Sequence, residues 1–194
     1  MLPVSDIIDA SNYARGELRY HSVLQGVGLD TSDTAFVRSG GYFLTARPLA
    51  TIYTHTIVTK AAAQSIPNNT LTAMTFDTTT QDYNEDAHNP AVNNSRITPA
   101  QYGTVTISAN VQFAANATGY RGLQIWKNGT TKVASVREAA PAAGVAVLSL
   151  TTVSTCEAAG DYFEVKVFQD SGGALDVEKT GAGDVTSPLF SLRY

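Results

Sequence analysis

Hydrophobic and polar residues alternate with period two through much of the chain after residue 60. The clearest run is Gly103–Ala114, GTVTISANVQFA. Val105, Ile107, Ala109, Val111 and Phe113 fall on one side, and Thr104, Thr106, Ser108, Asn110 and Gln112 on the other. Successive side chains of a strand point to opposite faces, so this run predicts a strand with one face buried and one in water. Asn116–Gly119 reads as a turn, and Tyr120–Lys127 as a second strand with Leu123 and Ile125 inward. Asn128-Gly129 is a hairpin signal, because a type I′ turn needs positive φ at both central positions. Lys132–Arg137 is the returning strand. After a loop at Pro141–Gly144, Val145–Ser154 is β-branched and apolar, a further strand. Ala158–Asp161 is a tight turn, and Tyr162–Gln169 alternates again with Phe163, Val165 and Val167 inward. Asp170–Thr186 is polar and glycine-rich, with one short strand around Leu175–Glu178. Ser187–Tyr194 closes the chain with Phe190, Leu192 and Tyr194 on a shared face.

Upstream, Thr70–Asp77 predicts a strand with Leu71, Ala73 and Thr75 on one side and Thr70, Thr72, Met74 and Phe76 on the other. Thr78–Arg96 shows no period and contains Asn89-Pro90, so it reads as a long surface loop. About eight strands between such turns predict an all-β fold, an antiparallel jelly-roll sandwich over residues 61–194. Residues 1–60 follow a different pattern. Ile7, Ala10, Ala14, Leu18 and His21 recur at helical spacing within Ser5–Gln25, with Ser5 as a cap. Tyr42–Thr45 and Thr51–Thr59 read as extended. These features describe a small N-terminal anchoring segment of mixed structure over 1–60.

Composition narrows the function. Charged residues are 15% of the chain and the net charge is −4, against about a quarter charged in an average globular protein. No two Lys or Arg are adjacent, so the electrostatic footprint of a nucleic-acid binder is missing. No apolar stretch approaches the ~20 residues of a spanning helix, so membrane insertion is not expected. MLPVSDIIDASNYARG has neither the basic nor the apolar region of a signal peptide, which implies synthesis in the cytoplasm. The single Cys156 has no intrachain disulfide partner and belongs to no zinc pattern.

Candidate chemistry is sparse. The sequence contains no nucleophile elbow, phosphate loop, dinucleotide fingerprint or His-Glu-x-x-His pattern. His21, His55 and His88 are far apart in sequence. Asp77, Asp82, Glu85 and Asp86 crowd one loop. Such carboxylates serve calcium binding or glycoside hydrolysis in other settings. Here the twelve-residue calcium pattern and an apolar surround are both missing, and a solvated acidic loop is the simpler reading, with calcium left open. Asn68, Asn93, Asn116 and Asn128 match the glycosylation sequon, a pattern that Asn-rich turns generate by themselves. The expectation is a non-enzymatic protein with no cofactor and no metal site.

The order of turn and strand signals from 64 to 194 resembles the complement globular-head and tumour-necrosis-factor-like jelly roll. Gln64–Thr70 leads into a strand ending Phe76-Asp77, and Tyr83-Asn84 sits in the acidic loop. Ser95–Pro99 and Tyr102-Gly103 precede the long central strand, and Lys127-Asn128-Gly129 sits at a hairpin. Gly160-Asp161 introduces the alternating Tyr162–Val165, and Phe190-Ser191-Leu192 lies near the end. The phrasing Asn93–Ile97 with Phe113–Arg121 is similar to jelly rolls of tailed-phage structural proteins. The first 60 residues depart from the complement pattern, since they carry no Gly-X-Y repeat.

The resemblance implies a homotrimer that buries outward-facing aromatics between subunits, with Tyr102, Trp126, Tyr162, Phe168 and Tyr194 as candidates. It further implies a tailed-bacteriophage virion protein on the particle exterior, a capsid decoration or head fibre. Its partners would be phage capsid or tail proteins. The anchor, with Tyr13, Tyr20, Phe36, Tyr42 and Phe43, would dock it on the particle. The alternative is a tail-tip or fibre protein that recognises a host-surface receptor or glycan through the loops at 78–96 and 170–186.

Overall fold

A computed structural model describes residues 35–39, 42–46, 55–83, 87–179 and 188–194. The chain divides into two compact units, Met1–Ile52 and Tyr53–Tyr194. In the first, β1 (Ala35–Ser39) and β2 (Tyr42–Ala46) form an antiparallel pair from Ala35↔Ala46 to Ser39↔Tyr42. The extended Tyr42–Thr45 of the sequence reading corresponds to β2. The helix expected over Ser5–Gln25, and with it Tyr13 and Tyr20, lies outside the described residues. Phe36, Tyr42 and Phe43 stand on β1 and β2.

The second unit contains β3 (His55–Thr59), β4 (Gln64–Ile66), β5 (Thr72–Ala73), β6 (Thr78–Tyr83), β7 (Arg96–Ile97) and β8 (Gly103–Phe113). It continues with β9 (Tyr120–Lys127), β10 (Thr131–Ala139), β11 (Ala146–Cys156), β12 (Phe163–Gln169), β13 (Leu175–Val177) and β14 (Leu189–Arg193). Two antiparallel sheets result. The seven-stranded sheet runs β11-β8-β14-β3-β6, and β13 and β4 extend it beside the Phe113 end of β8. The five-stranded sheet runs β10-β9-β12-β5, with β7 also on β12. Among the described residues there is no helix. This is the all-β, antiparallel jelly-roll sandwich that the alternation predicts.

The core lies between the sheets and is made of the inward half of that alternation. Val105, Ile107, Val111, Phe113, Leu123, Ile125, Val165 and Val167 are all fully buried. The final strand adds Phe190 and Leu192, and Phe190 packs against Phe76 with ring centroids 5.6 Å apart. One cation is buried with them. Arg121 donates from Nη1 to the carbonyls of Thr118 and Tyr120, both at 2.9 Å, and from Nη2 to that of Asn116 at 2.8 Å. Burial disfavours its charge and nearby Asp170 favours it. Carbonyls along the Asn116–Tyr120 turn therefore solvate a charge that water cannot reach. Gly119 completes the turn at φ 77°, where an added Cβ would collide with Asp170. A buried amide does similar work at the end of β12. Gln169 Nε2 donates to Ile66 O at 2.9 Å and Gly173 O at 2.7 Å, and its Oε1 accepts from the Ser171 N–H.

Three expectations need correction. The division at residue 60 falls after a strand of the sandwich, because β3 lies between β14 and β6 and the compact unit begins at Tyr53. The loop drawn from Thr78 to Arg96 is too long, because Thr78–Tyr83 pairs with β3 as β6. TTTQDY carries no apolar alternation because it is the outermost strand of its sheet. Within Thr70–Asp77 only Thr72 and Ala73 pair. The side carrying Met74 and Phe76 is the buried one.

The Phe113 side chain is fully buried, with the Arg121 guanidinium 5.8 Å from its ring centroid. Phe113→Ala is expected to lower unfolding free energy by about 3–5 kcal/mol, read from the midpoint of urea denaturation. A loss under about 1 kcal/mol would contradict this packing.

Candidate functional site

A sandwich buries one face of each sheet, and the two outer faces of this one differ in kind. On the five-stranded sheet the long side chains engage one another. Glu164 is nearly buried, and its Oε1 accepts from Arg96 Nε and Ser95 Oγ, both at 3.1 Å. Lys166 Nζ lies 3.8 Å from Glu164 Oε2, donates to Gly129 O at 3.0 Å and sits 4.5 Å over the Trp126 ring. Arg96 covers Tyr162 at 3.9 Å, and Arg137 lies 4.2 Å over Tyr120 and 5.9 Å from Phe168. Each aromatic ring of this face has a cation over it from the same chain.

The outer face of the seven-stranded sheet is built from short side chains. Three rows cross it through the strand register. The first is His55–Arg193–Thr106–Val153, the second Ile57–Ser191–Ser108–Thr151, and the third Thr59–Leu189–Asn110–Ser149. Only Arg193 and His55 in these rows carry or gain charge. Val153 and Val147 on β11 are 60% and 51% exposed. Ser108 Oγ and Thr151 Oγ1 are 3.0 Å apart, and Asn110 Nδ2 donates to Ser149 Oγ at 2.8 Å. The Oδ1 of Asn110 is buried and accepts no hydrogen bond. A shallow depression of about 450 Å³ lies over His55, Ile57, Thr106, Ser108, Ser191 and Tyr194.

The chemistry of this face suits association. Uncharged hydroxyls and amides are far less costly to desolvate than ammonium or carboxylate groups. Ser, Thr and Val also lose less rotamer freedom on burial than Lys or Glu. An exposed sheet face kept in water normally carries charge, which keeps copies apart.

The five aromatics selected from the sequence do not converge. Tyr102 is 67% exposed and directly precedes β8, and Tyr194 is tied to the Gln101 backbone through its hydroxyl. Trp126, Tyr162 and Phe168 belong to the other sheet, under the cations named above. What the sequence reading passed over is the polar half of the Gly103–Ala114 alternation, which it assigned to solvent. The available signal was the lack of any charge among Thr104, Thr106, Ser108, Asn110 and Gln112.

The other candidates have structural partners. Asp77 accepts from Ala61 N–H at 2.6 Å and Thr78 Oγ1 at 3.1 Å, and Asp82 from Thr56 Oγ1 and Ala87 N–H at 3.0 Å. Glu85, Asp86 and His21 lie outside the described residues. His55 Nε2 is 2.7 Å from Gln81 Oε1, and His88 Nδ1 is 2.7 Å from Thr79 Oγ1. Among the described residues no three potential metal ligands cluster. Cys156 is buried at the end of β11.

No family model matches the sequence, and no curated protein matches it either. Solved structures do match the fold. Murine APRIL at pH 5.0 superimposes with a TM-score of 0.55 at 10% identity, covering 73% of this chain and 98% of that one. The Eiger TNF of S. frugiperda gives 0.53 at 6% identity, covering 73% and 91%. The globular domain of zebrafish complement 1qA gives 0.47 at 14%, covering 72% and 93%. The sandwich is a TNF-like jelly roll.

Among the described residues, Asp161, of the Gly160-Asp161 pair, is the most strongly held carboxylate. It accepts from Asn128 Nδ2 at 2.7 Å, Glu157 N–H at 2.8 Å, Lys127 Nζ at 3.0 Å and Ala158 N–H at 3.1 Å. The Asn128 bond, followed by the Glu157 amide, holds its carboxyl far below the usual carboxylate range despite burial. A depressed folded-state pKa stabilises the fold above the unfolded value of about 4, and that contribution is lost as pH falls through the folded value. Asp161→Asn is expected to lower stability at pH 7 by about 1–3 kcal/mol. The gap to wild type should be constant above about pH 5 and shrink in stronger acid, as urea melts across pH would record. A gap that widens in acid would contradict this assignment.

Proposed function

We propose that this chain is a non-enzymatic structural protein of a tailed-phage virion, a homotrimer displayed on the particle exterior as a capsid decoration or head fibre. The observation that carries the trimer is the outer face of the seven-stranded sheet: short, nearly uncharged side chains in register across its strands, with exposed valines among them. The phage assignment is supported by the sequence resemblance over Asn93–Ile97 and Phe113–Arg121. In this reading residues 1–52 attach the trimer to the capsid, with Tyr13, Tyr20, Phe36, Tyr42 and Phe43 as docking residues. The protein is made in the host cytoplasm and ends on the virion surface. Copy number in electron micrographs of the particle separates hundreds of capsid decorations from a few tail fittings.

The alternative, a tail-tip or fibre protein for a host receptor or glycan, is favoured by a polar pocket at one end of the sandwich, lined by residues 87–98 and 160–162.

Three outcomes test the proposal. The full chain is expected to give the mass of three copies in light scattering. Thr151→Glu together with Ser108→Glu should give a monomer with unchanged circular dichroism, because six carboxylates would then meet at the interface. A double variant that remains trimeric would place the interface elsewhere. A chain starting at Tyr53, which keeps β3, is expected to remain trimeric and to fail to rebind particles stripped of the protein. Rebinding without residues 1–52 would move the docking surface onto the jelly roll.

A further inference from the structure

We infer that the pocket beside Arg96 is a binding site for an acidic saccharide, a sugar ring bearing a carboxylate. The inference deepens the receptor reading and does not depend on trimerisation. The pocket has a volume of about 370 Å³ and is lined by Asn89, Val92, Asn93, Arg96, Thr98 and Tyr162, with Ala87 and Gly160. Arg96 is fixed in place by two contacts. Its Nε donates to Glu164 Oε1 at 3.1 Å, and its guanidinium carbon lies 3.9 Å from the Tyr162 ring centroid. Neither contact uses Nη1 or Nη2, which have no partner among the described residues, and the side chain is one-third exposed at the pocket. A guanidinium held this way loses little freedom on binding, and its planar fork matches two carboxylate oxygens.

The rest of the lining separates a sugar from a bare anion. The Oδ1 of Asn89 accepts from the Ala91 and Val92 N–H groups at 2.9 and 3.2 Å, which leaves its amide donors available. Thr98 contributes an exposed hydroxyl, and exposed Val92 an apolar surface. Neutral donors and acceptors around an apolar patch suit hydroxyls and C–H faces together. No described lining residue is acidic. Arg96, Glu164 and Lys166 are linked in series and sum to one positive charge. That balance fits a monoanionic carboxylate better than a doubly charged phosphate. Gly160, with φ 84° and open space where a Cβ would stand, leaves the mouth clear.

The test is a titration of the ¹⁵N-labelled full chain, followed by amide shifts, with glucuronate, glucose, acetate and inorganic phosphate as separate probes. Glucuronate is expected to shift amides of 87–98 and 160–162, and to bind at least about tenfold more tightly than any other probe. Arg96→Lys keeps the charge and removes the fork, and should weaken glucuronate binding by about tenfold. Thr98→Trp fills the pocket from an exposed position without touching the Arg96–Glu164 pair, and should abolish the shifts. Equal binding of glucose, or full binding by Thr98→Trp, would overturn the site. Acetate or phosphate binding as tightly as glucuronate would reduce it to a simple anion contact and overturn the saccharide assignment. Light scattering on the same sample keeps the two readings apart. A monomer that binds glucuronate contradicts the trimer alone, and a trimer that does not bind it contradicts this inference alone.

Discussion

Two packed sheets hide one face each, and the chemistry of the two faces left over governs what this molecule can do. On the five-stranded side, Arg96, Arg137 and Lys166 lie over Tyr162, Tyr120 and Trp126, and Arg96 and Lys166 hold Glu164 between them. Its aromatic rings are covered from within one chain and offer little apolar surface to a second copy. On the seven-stranded side, mostly short and uncharged side chains lie in register across β3, β14, β8 and β11, with Arg193 and His55 confined to one row. The contrast follows from residue choice alone, because both sheets have the same pleat.

The interior makes that contrast possible by holding the strands in a single register. β8 pairs with β11 along its whole length and with β14 on its other edge, so its inward residues Val105 to Phe113 define the plane of the core. Polar groups inside are few, and they are engaged at the points where the chain reverses, although the buried Nε of Arg121 has no partner among the described residues. Arg121 gathers carbonyls of the Asn116–Tyr120 turn, Gln169 ties β12 to Ile66 and Gly173, and Asp161 closes the turn after β11. Removing one partner of such a group leaves the other buried and unpaired.

Much of this was legible in the residues. Strict alternation in Gly103–Ala114 and Tyr162–Gln169 gave the correct inward face because a one-residue slip would put every apolar group in water. Asn128-Gly129 marked its hairpin, and both residues have positive φ. Edge strands were harder to see. β6 is all polar, and β5 and β7 are two residues each, so neither carries a period. β3 alternates well, but its partners β14 and β6 are distant in sequence, and it was assigned to the N-terminal segment. The pocket at Arg96 was not legible either. It joins residue 96 to residues 162 and 164 across β7 and β12, a pairing that spacing cannot reveal. The aromatics selected as interface residues are split between the two sheets, and those of the five-stranded sheet have cations over them from their own chain.

The central claim is that the seven-stranded face is covered by a second copy, and three valines allow it to be read directly. Val147 and Val153 lie on that face and Val92 lies on the 87–98 loop, with 51%, 60% and 60% of each exposed in the isolated chain. Methyl signals of the labelled protein can be followed with a soluble paramagnetic agent over a dilution series. The account predicts that Val147 and Val153 are protected at high protein concentration and become accessible on dilution, while Val92 is accessible throughout. Equal accessibility of all three valines at every concentration would contradict it.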